Sequence, residues 1–334
     1  EEIINLTQHI KTIAKQHNIK PTFFEFTTMM SFLYFAQQKV DIAVIEVGMG
    51  GEYDATNIIT PLVSIITNID YDHEKYLGNT KELIAKTKAG IIKENIPCIT
   101  AEQDQIILSL FEQECRMKNT ILHIVKNVTS AKMIKTNKEE KFIFQKFSTT
   151  GDITNIFKIR LLGKHQIINA STAIAAIITI QNKEMNISLK AIQQGLEETT
   201  WPGRLQIINT KPLIIIDGAH NPAGMKTLQQ FLSTTRKSKN ILLGIAKDKP
   251  IKKMLSYIAP NAKKIIVSQG NYKPADMDII VKHAKKYTSQ IYCSNDVKKA
   301  IKIALLQTKN DEMLIITGSL YFIGDVLKHK ELLQ

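Results

Sequence analysis

A carboxylate directly after an apolar run is the first candidate for chemistry in this sequence. Residues Val40–Ile45 form a nearly continuous apolar run, which is typical of a strand buried on both faces of a parallel sheet. Glu46 follows the run, and Gly48, Gly50 and Gly51 then break it. Glycines let backbone approach a ligand closely, and open α/β sheets bind ligands beyond the carboxyl ends of their strands. We therefore predict that Glu46 lies in a binding site.

A histidine, His73, is predicted just beyond the carboxyl end of a neighbouring strand. The run Leu62–Asn68 predicts that strand, and Asp70, Asp72 and His73 come after it. A lone histidine is more often structural, but a histidine and Glu46 at two strand exits would suit a hard metal that carries phosphate. We expect Mg²⁺ rather than zinc, because no thiolate accompanies them.

Lys88 is the least expected residue of the sequence. A helix is predicted over Asn79–Glu94, with Thr80 or the residue before it as N-cap, and Lys88 shares the apolar stripe of Ile84 and Ile91. Two interpretations are open. The amine reaches out to water along its aliphatic stem, or it is desolvated, has a lowered pKa and reacts as a nucleophile.

The elements that must position these residues are alternating strands and helices. A chain of 334 residues is long enough for two domains. Residues Val125–Ile159 predict β-hairpins, and a long helix is predicted over Asn169–Gln181. Four later apolar runs predict strands that each end in a polar cluster, the first of them in Asp217-Gly218-Ala219-His220. These runs are Leu213–Ile216, Ile241–Ile245, Lys264–Val267 and Met313–Ile316. Glu197–Arg204 contains Pro202-Gly203 and is the predicted linker. We predict an α/β protein with mostly parallel sheets, one domain over residues 1–201 and a second over residues 202–334.

Composition limits the classes of function. The net charge of +13 would suit a nucleic-acid binder, but the lysines are dispersed and no aromatic residues alternate with them, which favours a composition bias. Three scattered cysteines without metal-ligand spacing indicate a reducing compartment. No apolar stretch approaches the roughly 20 residues of a membrane helix. We expect a cytoplasmic protein without a nucleic-acid or membrane partner.

Eight motifs in order resemble those of the folylpolyglutamate synthase/dihydrofolate synthase family, within the Mur ligase superfamily. They are TFFEFTT, EVGMGGEYDATN, NIDYDHEKYLG, KAGIIK, GKHQIINASTA, WPGRLQ, DGAHNP and TGSLYFIGDV. The resemblance implies a P-loop-type ATPase domain and a smaller Rossmann-like domain. It implies ATP-dependent addition of L-glutamate through an acyl phosphate, and it leaves open whether the acceptor is folate alone or also dihydropteroate. It further implies Mg²⁺ as cofactor and a monomeric enzyme.

The resemblance also assigns roles to single residues. Glu46 and His73 match Mg²⁺ ligands, and Lys88 matches a lysine that CO₂ converts into a carbamate supporting a second Mg²⁺. Arg204 matches a hinge arginine that reaches the phosphates, so that Lys88, His73 and Arg204 are the implied catalytic residues. The remaining positions matched to ATP are Asn169, Asp217 and His220. The positions matched to the pterin part of folate are Phe24, Asp54 and Ala55, and Ser319 is matched to the glutamate side.

Some features depart from the family pattern. Glu52 stands where arginine is usual, and Thr87 stands where glutamate commonly precedes the lysine. The glycine-rich P-loop that usually opens the family's sequences is not found, and Glu1 lies in a predicted helix. We expect that a segment precedes Glu1 and that this chain alone is inactive. Two alternatives stay open: a non-catalytic folate-binding remnant, and a Mur-type cell-wall peptide ligase.

Overall fold

The computed structural model describes residues 1–71, 74–125, 129–134, 144–149, 155–181 and 185–333. The chain forms two compact units, residues 1–126 with 172–186 and residues 127–171 with 187–334. The domain boundary predicted between residues 201 and 202 falls within the residue range of the second unit. This boundary stays a prediction. Within the described ranges, no helix is long and apolar enough to cross a membrane.

The first unit contains a small parallel sheet. Its elements are α1 (Glu2–Gln16), α2 (Phe23–Gln38), β1 (Ser64–Ile66), α3 (Glu74–Leu77), α4 (Lys81–Ala89), β2 (Cys98–Thr100), α5 (Gln105–Met117) and β3 (Leu122–Ile124). The strands lie in the order β1-β2-β3. Ile66, Ile84 and Phe111 belong to a shared core, which joins β1 to α4 and α5. The strand predicted over Leu62–Asn68 is confirmed in shorter form.

The strand predicted over Val40–Ile45 is wrong. Among the described residues, this segment forms no ladder with any strand, and Val44 is 93% exposed. An apolar run indicates a preference for burial, whereas a strand also needs a neighbour that pairs with its backbone groups. The described part of the chain provides no such neighbour. Glu46 therefore does not follow a strand, and its side chain is exposed.

The second unit contains two sheets. Its smaller sheet consists of β4 (Thr129–Ile134), β5 (Phe144–Thr149) and β6 (Asn155–Ile159), which pair antiparallel in that order. This confirms the predicted hairpins within the described residues. Two helices follow, α6 (Lys164–Gln181), of which residues 164–171 belong to this unit, and α7 (Leu189–Glu198). Helix α6 begins five positions before the predicted start at Asn169.

The large sheet of the second unit has helices on both faces. Its elements are β7 (Gln206–Thr210), β8 (Leu213–Ile216), α8 (Pro222–Ser233), β9 (Lys239–Leu243), α9 (Ile251–Ile258), β10 (Ala262–Ser268), α10 (Met277–Ala284), β11 (Ile291–Ser294), α11 (Val297–Leu306), β12 (Met313–Thr317) and α12 (Leu320–Leu327). The strand order is β11-β10-β9-β12-β8-β7, and only β7 is antiparallel to its neighbour. One core includes α8, α9 and α10, and the other includes α11 and α12. This is the predicted Rossmann-like arrangement.

An ion pair between a buried carboxylate and a partly exposed lysine lies at the amino-terminal ends of the strands of the large sheet. Glu312 is 3% exposed. Its Oε1 accepts a hydrogen bond from Lys263 Nζ at 2.6 Å, and its Oε2 accepts one from Asn240 Nδ2 at 2.9 Å and one from the Lys309 backbone N–H at 3.0 Å. Burial opposes ionisation of Glu312, but these donors together lower its pKa to about 2.

We expect Glu312→Gln to lower the free energy of unfolding at pH 7 by about 2 kcal/mol. The full pKa shift corresponds to more, but Lys263 is 43% exposed and solvent screens the pair. Because the folded pKa lies below the ordinary 4.5, the contribution is present above pH 4.5 and is lost as pH falls towards 2. Urea unfolding at pH 7 and pH 3 measures both effects. The exposed Glu331→Gln is the control, and an equal loss at both pH values would contradict the prediction.

Candidate functional site

A glycine loop of the first unit, residues 48–52, lies against an exposed aromatic ring. A Cβ atom at Gly48 would collide with the ring of Phe24, so only glycine allows this approach. Phe24 is 42% exposed. On its other side the loop contacts α4, because the Glu52 backbone N–H donates to the Thr87 carbonyl at 2.9 Å. The predicted pterin contact Phe24 therefore presents part of a flat ring beside this loop.

Asp54 stabilises the same loop through hydrogen bonds. Its Oδ2 accepts a hydrogen bond from the Met49 backbone N–H at 2.9 Å, and its Oδ1 accepts from the backbone N–H and hydroxyl of Thr56 at 2.9 and 2.6 Å. Burial opposes the charge of Asp54, but these bonds hold its pKa below the ordinary value. Ala55 begins the short 3₁₀ turn that Asp54 caps. Both carboxylate oxygens thus have structural partners, and pterin contacts at Asp54 and Ala55 stay predictions.

Lys88 lies in the last turn of α4 and is half-buried. Thr80 caps the helix, as predicted, but α4 ends at Ala89 rather than at Glu94. Ile84 is buried in the core. Lys88, one turn later, lies at the border between this buried stripe and solvent, and its carbamylation stays a prediction.

The described residues of the first unit do not by themselves assemble a metal site. Glu46 is exposed, and in the parts of the chain that the structure describes no three His, Cys, Asp and Glu side chains come together to hold a metal. His73 lies outside the described residues. The loop before it is held by Glu102, whose Oε2 accepts a hydrogen bond from the Ile69 backbone N–H at 2.6 Å. The sequence gives no sign of this role of Glu102, because a glutamate shortly before a helix is usually exposed.

The carboxyl end of β8 carries a buried carboxylate. Asp217 is 8% exposed. Its Oδ2 accepts a hydrogen bond from the Leu205 backbone N–H at 3.0 Å, and its Oδ1 accepts one from the Ala219 backbone N–H at 3.0 Å. Burial raises the pKa of Asp217 more than these bonds and the charges of Arg204 and His220 lower it. A carboxylate that stays buried despite the cost of removing it from water is typical of a functional site.

The backbone on both sides of Arg204 is anchored to the end of β8. The Gly218 backbone N–H donates to the Gly203 carbonyl at 2.7 Å, and Leu205 is bound to Asp217. Leu205 has a φ of +45°, which non-glycine residues rarely adopt. A Cβ atom at Gly218 would lie 3.1 Å from Arg204 Nη1, so the guanidinium lies against bare backbone. Arg204 is therefore held beside Asp217.

The first turns of α6 carry the predicted adenine contact. Asn169 is exposed, and its Nδ2 donates to Gln166 Oε1 at 3.1 Å. Since α6 begins at Lys164, Asn169 lies inside the helix rather than at its start. Its amide is accessible from solvent, as a ligand contact requires.

A buried glutamine supports the loop before α6. Gln145 of β5 is buried, and its Nε2 donates to the Leu161 carbonyl at 2.6 Å and to the Gly163 carbonyl at 3.0 Å. Burial, and secondly the charge of Arg204, lower the pKa of His165 in the first turn of α6. A glutamine within a predicted hairpin gives no signal in the sequence, because its burial depends on the packing of the whole unit.

His220 and Ser319 lie at the ends of two strands of the large sheet. His220 Nδ1 lies 2.9 Å from the Gly218 carbonyl oxygen. Asn221 Oδ1 accepts a hydrogen bond from the Gly224 backbone N–H and so caps α8. Ser319 is buried directly before α12 and does not cap it with its side chain. The N-terminal ends of α8 and α12 thus lie at the carboxyl edge, where helix N–H groups favour anions.

Two protein-family models match the chain. The Mur ligase middle domain matches residues 2–177, and the Mur ligase glutamate ligase domain matches residues 203–320. The first of these covers more than half of the chain.

Individual relatives agree with the family models. The dihydrofolate synthase/folylpolyglutamate synthase of Bacillus subtilis is 32% identical over 329 residues, which are 96% of this chain and 75% of the relative. The crystal structure of Thermotoga maritima folylpolyglutamate synthase is 31% identical, with a TM-score of 0.83 over 99% of this chain and 76% of that one. A folylpolyglutamate synthase solved with AMPPCP is 28% identical, with a TM-score of 0.78 over 97% of this chain and 75% of that one. The chain therefore belongs to the folylpolyglutamate synthase/dihydrofolate synthase family of the Mur ligase superfamily.

Proposed function

We propose that the enzyme adds L-glutamate to folate, and also to dihydropteroate, at the expense of ATP. The γ-phosphoryl group of ATP moves to the acceptor carboxylate, which gives an acyl phosphate and ADP. The amine of glutamate then attacks the acyl carbon, loses a proton and expels phosphate. The observation that carries this proposal is the buried Asp217, which holds the backbone beside Arg204 at the carboxyl edge of the large sheet. The enzyme is proposed to act as a cytoplasmic monomer on small molecules.

The nucleotide is proposed to bind residues of the second unit. Arg204 offers a planar cation whose fork matches phosphate oxygens, and its backbone is held on both sides by the loop after β8. His220 follows Asp217 in the same loop, and the exposed amide of Asn169 is proposed to contact adenine. The relative solved with AMPPCP supports a nucleotide as ligand.

The first unit is proposed to provide the metal ligands. Glu46 and His73 supply a carboxylate and an imidazole, and carbamylated Lys88 would supply further oxygens, which suits a hard cation. Bound Mg²⁺ would neutralise charge on the phosphates. The half-burial of Lys88 at the end of α4 is compatible with this role, since a carbamate needs an amine with limited access to water.

The two organic substrates are proposed to contact different residues. The partly exposed ring of Phe24 offers a flat surface on which a pterin stacks, and Asp54 keeps the adjoining loop with Ala55 in shape. Ser319 is buried at the start of α12, and its side chain does not cap that helix. Its hydroxyl is proposed to contact the substrate glutamate.

The proposal is tested with the complete gene product. We expect ADP release that requires both L-glutamate and an acceptor, and a product whose mass increases by one glutamyl residue. Dihydropteroate and tetrahydrofolate are tested separately as acceptors, with a UDP-linked muropeptide as control. ADP release with the muropeptide alone would establish the peptide ligase instead. Folate binding without any ADP release would establish a non-catalytic protein.

A further inference from the structure

A charged cavity lies at the amino-terminal ends of the strands of the large sheet. Its volume is about 470 Å³, within the range of about 300–1,000 Å³ that small-molecule sites occupy. The loop before β9 and the turn before β12 form its walls, and a side chain of β10 completes it. The loop and turn are joined because the Met313 backbone N–H donates to the Ser238 carbonyl at 2.8 Å and Lys237 Nζ donates to the Asp311 carbonyl at 2.9 Å.

The cavity carries an excess of positive charge. Its lining includes four cationic side chains, those of Arg236, Lys237, Lys263 and Lys309, and two carboxylates, those of Asp311 and Glu312. Both oxygens of Glu312 already accept hydrogen bonds, the shortest from Lys263. Asp311 is exposed to solvent. The charge of the cavity is therefore not cancelled by its own acidic residues.

Some of the cationic side chains in this region already have acceptors within the protein, and others do not. Lys239 Nζ donates to the Thr235 and Lys237 carbonyls after α8, and Lys264 Nζ donates to the Gln307 carbonyl after α11. Both ammonium groups therefore already have acceptors within the protein. Arg236 and Lys309 are exposed. In the part of the chain that the structure describes, neither side chain makes a hydrogen bond or an ion pair within the protein. These two cations are available to a ligand.

We propose that this cavity binds a phosphate-bearing polyanion. The guanidinium of Arg236 can hold a phosphate through two parallel hydrogen bonds, and Lys309 and Lys237 add point charges. The volume exceeds that of one phosphate ion and admits a chain of several. The site differs from the proposed nucleotide site, because Asp217 lies at the opposite edge of the same sheet, roughly 16 Å away along a five-residue strand.

Inorganic tripolyphosphate is the probe, added to the full chain at low ionic strength. We expect a dissociation constant of about 1 mM or below by calorimetry. In amide NMR spectra, we expect the ligand to shift the signals of Arg236, Ser238 and Lys309. The double variant Arg236→Gln/Lys309→Gln should weaken binding at least about tenfold, because it removes both uncommitted cations. Its melting temperature without ligand should be unchanged, which shows that the fold is intact.

The matched control is Lys298→Gln/Lys299→Gln, which removes the same charge from exposed positions at the other end of α11. Binding within twofold of the parent supports a localised site. An equal loss in both double variants would overturn the proposal in favour of diffuse attraction. NMR shifts confined to residues 203–220 would overturn it too, since the probe would then occupy the proposed nucleotide site. Equal affinity for citrate would overturn the phosphate assignment.

Discussion

Replacement of Asp217 by asparagine should lower kcat/KM by about 10²-fold, the scale on which loss of one preorganised polar group affects an enzyme. The two oxygens of Asp217 hold the backbone N–H groups of Leu205 and Ala219. An amide has only one oxygen, so one of these N–H groups loses its acceptor and Arg204 loses its fixed position. Steady-state kinetics of the complete gene product and ADP titrations measure the effect.

The control for Asp217→Asn is Asp276→Asn. Asp276 Oδ1 accepts one hydrogen bond from the Asp278 backbone N–H at the start of α10, and asparagine caps helices equally well. We expect this variant to keep the activity of the parent. Unchanged activity in Asp217→Asn would contradict the role of Asp217 in the site.

The free energy of unfolding should depend on pH because the pKa of Asp217 differs between the folded and the unfolded chain. Its pKa is raised above the ordinary 3.8 by burial, so the folded protein holds this proton more tightly than the unfolded chain. Stability from this group is therefore highest below pH 3.8 and falls as pH rises through the raised value. Asp217→Asn removes this dependence, and the variant should gain stability relative to the parent as pH increases.

Replacement of Lys88 by alanine should reduce ligase activity by about 10²-fold or more. The proposed carbamate would supply oxygen ligands to Mg²⁺ where an ammonium group would repel the cation. Acetate should restore part of the activity, because a free carboxylate can occupy the space of the carbamate. A ¹³C signal from labelled bicarbonate, present in the parent and missing in Lys88→Ala, would identify the modification directly.

Lys86→Ala is the matched control for Lys88→Ala. Lys86 lies in the same last turn of α4 but is exposed. We expect this variant to be fully active, which would show that neither a change in helix propensity nor the loss of one positive charge causes the effect. Full activity in Lys88→Ala would leave Lys88 as a helix residue whose amine reaches solvent.

The second unit shows where local sequence was sufficient for prediction. Apolar runs ending in polar clusters predicted the strands that are observed as β8, β9, β10 and β12, because strands buried on both faces need continuous apolar sequence. The same pattern predicted that Asp217 and His220 follow a strand, which is confirmed. The order of these strands and the burial of Asp217 depend on helices packed on both faces.

The first unit shows where local sequence was insufficient. The apolar run Val40–Ile45 predicted a buried strand, but pairing depends on a neighbouring backbone, and no described segment pairs with it. Helix α4 ended earlier than its apolar periodicity indicated, since Ile92 reaches the core beyond the helix end at Ala89. Periodicity shows which residues prefer burial, whereas the element that buries them is selected by tertiary packing.

The sequence by itself determined the family, the α/β class and the residues proposed for chemistry, because motifs and apolar runs are local properties. Only the tertiary structure decided that Asp217 holds the backbone beside Arg204, that Gln145 supports the loop before α6, and that the segments at the starts of β9, β10 and β12 bring their lysines together. Hydrogen bonds between residues far apart in the chain require the folded backbone to bring donor and acceptor together. A charged cavity likewise exists only where separate loops meet.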